Sequence, residues 1–134
     1  MTECDVVESV VGHLAEKGYR VHCEVPFWLR RIDIVATRVG GRGLLAVEAK
    51  VSDWRVALRQ ATMCQLCAHR VYVAMPAAFV HRCDEAAFRA AGVGLLTVAG
   101  DAVATTLRAK LSSVFCPGHH KDLVAVLARR RSKR

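Results

Sequence analysis

The eight-residue run Leu44-Leu45-Ala46-Val47-Glu48-Ala49-Lys50-Val51 constrains this chain more than any other segment. It lies between Gly40-Gly41-Arg42-Gly43, which reads as a hairpin turn, and Ser52-Asp53, either of which can cap a helix. Its apolar content predicts a central strand over 44–51. Yet it carries Glu48 and Lys50 two positions apart, on one face of that strand. Burying either charge unpaired is costly, so that face must open to solvent, a partner or a metal. The preceding predicted strand, 31–37, has the same anomaly, with Asp33 between Ile32 and Ile34. Alternation there puts Ile32, Ile34 and Ala36 on one face and Asp33, Val35 and Thr37 on the other. If the glycines fold these two strands into a hairpin, Asp33 and Glu48 share one face of adjacent strands.

Two carboxylates that close repel unless a cation sits between them. Mg²⁺ suits such a pair, because it takes one or two carboxylates together with water and phosphate oxygens; Mn²⁺ is the alternative ion. The metal would polarise a phosphoryl oxygen and lower the pKa of a bound water. Lys50, beside that water, would orient it and stabilise developing negative charge. These are the parts of metal-assisted phosphodiester hydrolysis. Glu48-Ala49-Lys50 is the single Asp/Glu-x-Lys of the chain. The plainer reading is an exposed edge strand with a cross-strand salt bridge.

The surrounding elements follow from periodicity and punctuation. Thr2-x-x-Asp5 resembles a capping box, and Val7, Val10, Val11 and Leu14 follow at helical spacing, which predicts a helix over 3–17 stopped by Gly18. Residues 19–25 read as a strand closed by Pro26. The second helix is expected from the Ser52-Asp53 cap to Ala68. A buried strand at 70–75 ends at Pro76, a short helix spans 84–91 before Gly92, and 93–98 is the last predicted strand. A terminal helix covers 121–131. The order is α-β-β-β-α-β-α-β-α: an α/β fold, one mixed sheet flanked by helices, with right-handed crossovers between the later strands. Residues 1–128 are expected to form one domain and 129–134 a basic tail.

Charge adds a polyanion to the picture. Lys and Arg number 20 against 12 acids, and the last six residues hold five of those cations. A basic tail with Arg129, Arg130 and Arg131 suits nucleic acid, here DNA, although a solvated terminus would look alike. Hydrophobic residues make up 53% of the chain, which excludes a disordered protein. No apolar run reaches the about twenty residues of a membrane span, and the acidic start does not resemble a signal peptide. A cytoplasmic protein is therefore expected, with six reduced cysteines. Cys64-x-x-Cys67 sits within a predicted helix. Cys116-Pro117-Gly118-His119-His120 is loop-like, and lacks a second ligand pair on a turn that would make it a zinc site.

Arg31-Ile32-Asp33-Ile34-Val35-Ala36 followed by Leu45-Ala46-Val47-Glu48-Ala49-Lys50 resembles the core of the PD-(D/E)xK nuclease superfamily. The order helix, strand, Asp-bearing strand, Glu-x-Lys strand, helix, strand agrees over about residues 3–76. Archaeal Holliday-junction resolvases and small restriction-endonuclease-like proteins are the most similar members. The resemblance implies a restriction-endonuclease-like core and a nuclease in which Asp33 and Glu48 bind Mg²⁺ and Lys50 is catalytic. Members often add an acid from the first helix, and Glu8 stands in the matching place; a solvated helix position is the other reading. Gln60 matches a Gln that some members carry on the next helix, and position 64 is Cys where exonuclease members have Tyr. Ile32 replaces the Pro of the motif. Resolvase-like members act as dimers, which implies a homodimer. Arg30, Arg31, Arg55 and Arg59 flank the site in sequence and suit phosphate contacts. Arg55 and Arg59 share a helix face that is equally an ordinary solvated one. Trp28 and Trp54 either pack on nucleic acid or shield a core edge. A catalytically inactive nucleic-acid-binding or protein-interaction module on the same fold is the alternative.

Overall fold

The computed structural model describes residues 1–38 and 43–132, without the side chains of Arg131 and Ser132. The expected turn glycines Gly40 and Gly41, the Arg131 side chain and the last two residues of the tail lie outside the described residues. The elements run α1 (Glu3–Glu16), β1 (Tyr19–Phe27), β2 (Arg30–Arg38), β3 (Leu45–Ala49), α2 (Trp54–Cys64), β4 (Arg70–Pro76), α3 (Ala77–Val80), α4 (Glu85–Ala91), β5 (Gly94–Ala99), β6 (Ala102–Leu107) and α5 (Pro117–Ser132).

One six-stranded sheet carries them in the order β1-β2-β3-β4-β5-β6. β3, β4 and β5 are parallel, and antiparallel partners extend the sheet on both sides. The fold is therefore the mixed α/β arrangement that the sequence predicts. α1 buries Val6, Val10 and Leu14 against Ile34, Ala36, Val47 and Ala49 on one face. Ala57 and Ala61 of α2, Phe88 of α4 and Leu123 and Leu127 of α5 pack on the other. Both parallel crossovers thus keep their helices on one face, as two crossovers of one hand stepping in one direction must.

Local chemistry sets the boundaries. The Thr2–Asp5 capping box forms in full, with the Thr2 N–H on the Asp5 carboxylate at 2.8 Å and the Asp5 N–H on Thr2 Oγ1 at 3.2 Å. The Asp53 carboxylate caps α2 by accepting from the Val56 N–H at 3.3 Å. Other expectations are corrected. β1 runs through Pro26 to Phe27, which an edge strand tolerates because its outer N–H needs no partner. β3 is shorter than the apolar run. α2 stops at Cys64 rather than Ala68, and α5 begins at Pro117, where a proline costs no helical hydrogen bond. His119 and His120 are therefore helical and not in a loop. α3 and β6 are additions.

The β1–β2 ribbon also changes face. Tyr19, Val21, Ile34 and Ala36 pack on the α1 side, while Val25, Phe27 and Ile32 pack on the α2 side. Ile32 therefore does not share a face with Ile34 and Ala36. The reversal falls at Glu24, whose φ of +47° breaks strict alternation opposite Asp33.

Candidate active site at the β2–β3 divergence

β2 and β3 pair in register at Ile34–Val47, Val35–Ala46 and Ala36–Leu45. Continued by one step, that register sets Asp33 opposite Glu48, and there the backbone ladder ends. Side chains take over. The Asp33 N–H donates to Glu48 Oε2 at 3.2 Å, and the Ala49 N–H donates to Asp33 Oδ2 at 2.8 Å. Each carboxylate thus satisfies a backbone donor of the opposite strand that the ladder leaves unpaired. The two acids are held side by side by the divergence itself.

Glu48 is 1% exposed, and Arg30 at the start of β2 pairs with its Oε1. The same guanidinium donates to the Gln60 carbonyl oxygen at 2.9 Å, tying β2 to α2. Burial pushes the Glu48 carboxyl up to about 7, and the Asp33 charge pushes the same way. The Arg30 charge and the two hydrogen bonds that Glu48 accepts oppose them without cancelling them. Arg30 was expected among phosphate contacts; its observed role is as counter-ion to an acid, and nothing in the local sequence distinguishes the two.

Lys50 follows β3 directly and is half-buried. Its Nζ lies 3.9 Å from Glu3 Oε2 at the start of α1. Gln60 meets the site through its main-chain carbonyl. Glu8 is exposed on α1, with open space beside Gly12 one turn on. Arg31 is exposed, 3.9 Å from Glu24, and Arg55 lies over the Trp54 ring at 4.7 Å. Arg59 is exposed on the same helix. Arg129 is exposed on α5, and Arg130 donates to the Cys23 carbonyl at 2.9 Å, which lays this part of the basic segment across β1. Trp54 packs beside the α2-side core, whereas Trp28 is 68% exposed.

Among the described residues no three His, Cys, Asp or Glu side chains converge as a metal cluster. Glu8, exposed on α1, is not clustered with Asp33 and Glu48 in this arrangement, and the described cysteines and histidines make no such cluster. His120 instead bonds the Cys67 carbonyl at 2.9 Å, and burial pushes the Cys64 and Cys67 thiols up, Cys67 to about 11. The Asp33–Glu48 pair nevertheless fits a hard divalent ion in kind, because both are adjacent carboxylates with a cation already drawn to one of them.

A second feature borders the site. Phe27, Trp28 and Leu29, with His119 stacked on the Trp28 ring, line an apolar cleft of about 400 Å³ together with Met63 and Leu66. Arg30 lines its rim. The signal was present in the sequence, since Phe27-Trp28-Leu29-Arg30 contains none of the usual turn residues.

No protein-family model and no curated protein sequence matches the chain. Solved structures do. A protein of unknown function from Silicibacter pomeroyi superimposes with a TM-score of 0.79 at 20% identity, over 100% of this chain and 88% of that one. A repair endonuclease from Pyrococcus abyssi superimposes with a TM-score of 0.54 at 14% identity, over 75% of this chain and 48% of that one. At such identities the likeness is one of fold. No helix among the described residues is long and apolar enough to cross a membrane.

Proposed function

We propose that this chain is a metal-dependent DNA endonuclease of the PD-(D/E)xK type. The observation that carries the reading is the Asp33–Glu48 pair, held by reciprocal hydrogen bonds where β2 and β3 part, with Lys50 two residues further on. A fold shared with a repair endonuclease supports it. Asp33 and Glu48 would hold Mg²⁺ or Mn²⁺, which supplies charge to polarise the scissile phosphoryl group. Asp33 keeps one carboxylate oxygen beyond its bond to Ala49. Glu48 gains its second oxygen once Arg30 turns away, and Arg30 is then a cation free to meet a phosphate. Lys50 exchanges its distant partner Glu3 for the attacking water and the charge that builds on the phosphate. Glu8 is a further candidate ligand, and Gln60 a candidate to orient the water. Exposed Arg31, Arg55, Arg59 and Arg129 would position the backbone without reading sequence. Two copies of so small a domain, acting on two strands, are part of the proposal.

The competing reading is a nucleic-acid-binding module without catalysis. Its supporting observation is the Arg30–Glu48 pair, because the protein's own cation already satisfies the buried acid.

The test is incubation with plasmid, linear, single-stranded and four-way-junction DNA in Mg²⁺, Mn²⁺ or EDTA, beside Lys50→Ala. Metal-dependent cleavage that Lys50→Ala loses is the expected result. Cleavage that survives in Lys50→Ala overturns the site assignment. DNA binding without cleavage in any metal selects the binding module.

A further inference from the structure

The turn joining β1 to β2 breaks the usual rules for its length. Phe27 pairs with Arg30, so Trp28 and Leu29 alone make the connection. Two-residue hairpin turns favour Asn, Asp and Gly because those residues accept positive φ. Here Trp28 takes φ +60°, a strained conformation for a bulky side chain. The strain presents two large apolar groups to solvent, with Trp28 68% and Leu29 fully exposed. Neither contributes to the core, so the fold gains little from them.

The Trp28 ring is held in place all the same. It stacks on His119 of α5, with centroids 4.9 Å apart and planes 7° from parallel. Phe27 meets it edge-on at 6.1 Å. The cleft beside it is of a size typical of small-ligand sites, about 300–1,000 Å³. Its walls are apolar and aromatic, and the cation at its rim is Arg30, the residue that pairs with Glu48. Arg31, next in sequence, is exposed. The formal charge of the whole chain is +8. Flat aromatic surface, apolar walls, basic surroundings and an arginine shared with the carboxylate site together describe a nucleotide more closely than an apolar peptide.

We infer that the Trp28–Leu29 turn and the facing ends of α2 and α5 form a stacking pocket for an unpaired nucleobase of the substrate strand. The inference rests on the nuclease reading and narrows it: the substrate class is DNA with a base already out of its pair, such as a single strand, a bulge or a branch point. Aromatic stacking accepts any base, so the pocket selects unpaired structure and not sequence. Leu29 at the tip is placed to hold the gap such a base leaves, as apolar wedges do.

The test uses oligonucleotides carrying 2-aminopurine, once in a fully paired duplex and once unpaired in a single strand, in EDTA so that nothing is cleaved. Dissociation constants and 2-aminopurine emission are measured for the wild type, Trp28→Ala and Trp28→Phe. Trp28→Ala should weaken single-strand binding about tenfold, while changing duplex binding less than twofold. Trp28→Phe should stay within about threefold of the wild type. Emission should fall on binding to the wild type and to Trp28→Phe, but not to Trp28→Ala. Circular dichroism checks the fold, and Leu29→Ser, at a fully exposed position, is a second variant that should weaken single-strand binding. Equal losses on both DNAs, or none on either, overturn the pocket while leaving the nuclease reading intact. A wild type that binds neither DNA overturns both.

Discussion

Two antiparallel strand pairs flank the parallel centre of this sheet, and they end in opposite ways. β5 and β6 stay paired to the last residue, Ala99 with Ala102, and close through Gly100-Asp101. β2 and β3 stop pairing at Asp33 and Glu48, where carboxylates take over the backbone donors. The first pair minimises unsatisfied backbone groups with small residues and a tight turn. The second spends buried acid on the same task and needs Arg30 to make that acid tolerable. The first end presents no paired carboxylates; the second presents two.

The largest expected effect separates catalysis from folding at the β2–β3 end. Asp33→Asn keeps an acceptor for the Ala49 N–H but removes the charge. Cleavage should fall by about a thousandfold or more, on the scale of losing a metal's charge stabilisation, while thermal unfolding moves by less than about 3 °C. A variant that cleaves normally would remove the functional distinction between the two hairpins.

That distinction was legible in the sequence for a physical reason. Asp33 and Glu48 interrupt apolar runs, and a charge in an apolar strand is improbable without a partner. β6 went unpredicted because Ala102-Val103-Ala104-Thr105-Thr106-Leu107 breaks no rule. Its composition is weak for any element, although Gly100-Asp101 is a recognised hairpin signal. Arg30 was seen only as one cation among several, since an ion pair across 18 positions depends on how the sheet brings β2 beside β3. The exchange of Ile32 between faces is hidden for the same reason, because alternation assumes a regular ribbon and Glu24 on the paired strand β1 breaks it opposite Asp33. Lys50 beside Glu3, and His119 against the Trp28 ring, join segments far apart in sequence, so the unusual turn at 27–30 is the one local sign of the cleft.

Arg30→Ala sharpens the comparison next. It leaves Glu48 buried without its counter-ion. Breaking a buried pair costs about 3–5 kcal/mol, but Arg30 keeps 23% exposure, so about 2 kcal/mol is expected at pH 8. Urea unfolding in EDTA should show this loss, and Glu48→Gln in the same chain should recover most of it. A loss that persists in the double variant would assign the effect to the Arg30–Gln60 tie instead.

The sign with pH follows from the same group. The Glu48 carboxyl rises from an ordinary value of 4.5 to about 7 in the folded chain, chiefly through burial. The folded state therefore holds that proton more tightly than the unfolded state. The stability it contributes is fully present below about pH 4.5 and is lost as pH rises through 7. In EDTA, wild-type stability should decline across this window relative to Glu48→Gln, by at most about 3 kcal/mol. An identical pH profile for the two proteins would place the site carboxyl in ordinary solvent and remove the electrostatic contrast between the hairpins.

The smallest effect belongs to the other end of the comparison. Gly100 has φ +59°, and Asp101 does not share the positive value, as in a type II′ turn. Its carbonyl accepts from Ser9 Oγ at 2.8 Å, which fastens this hairpin to α1. An added Cβ meets nothing within 4 Å, so Gly100→Ala strains the backbone without a clash. The cost should be about 1 kcal/mol, or a fall of roughly 3–5 °C in Tm. Cleavage at 25 °C should be unchanged. Asp33→Asn and Gly100→Ala then form opposite cases, one losing activity with its fold kept and the other losing stability with its activity kept. If Gly100→Ala also lowered cleavage in fully folded protein, the β5–β6 hairpin would reach the site through α1, whose first turn supplies the Glu3 partner of Lys50.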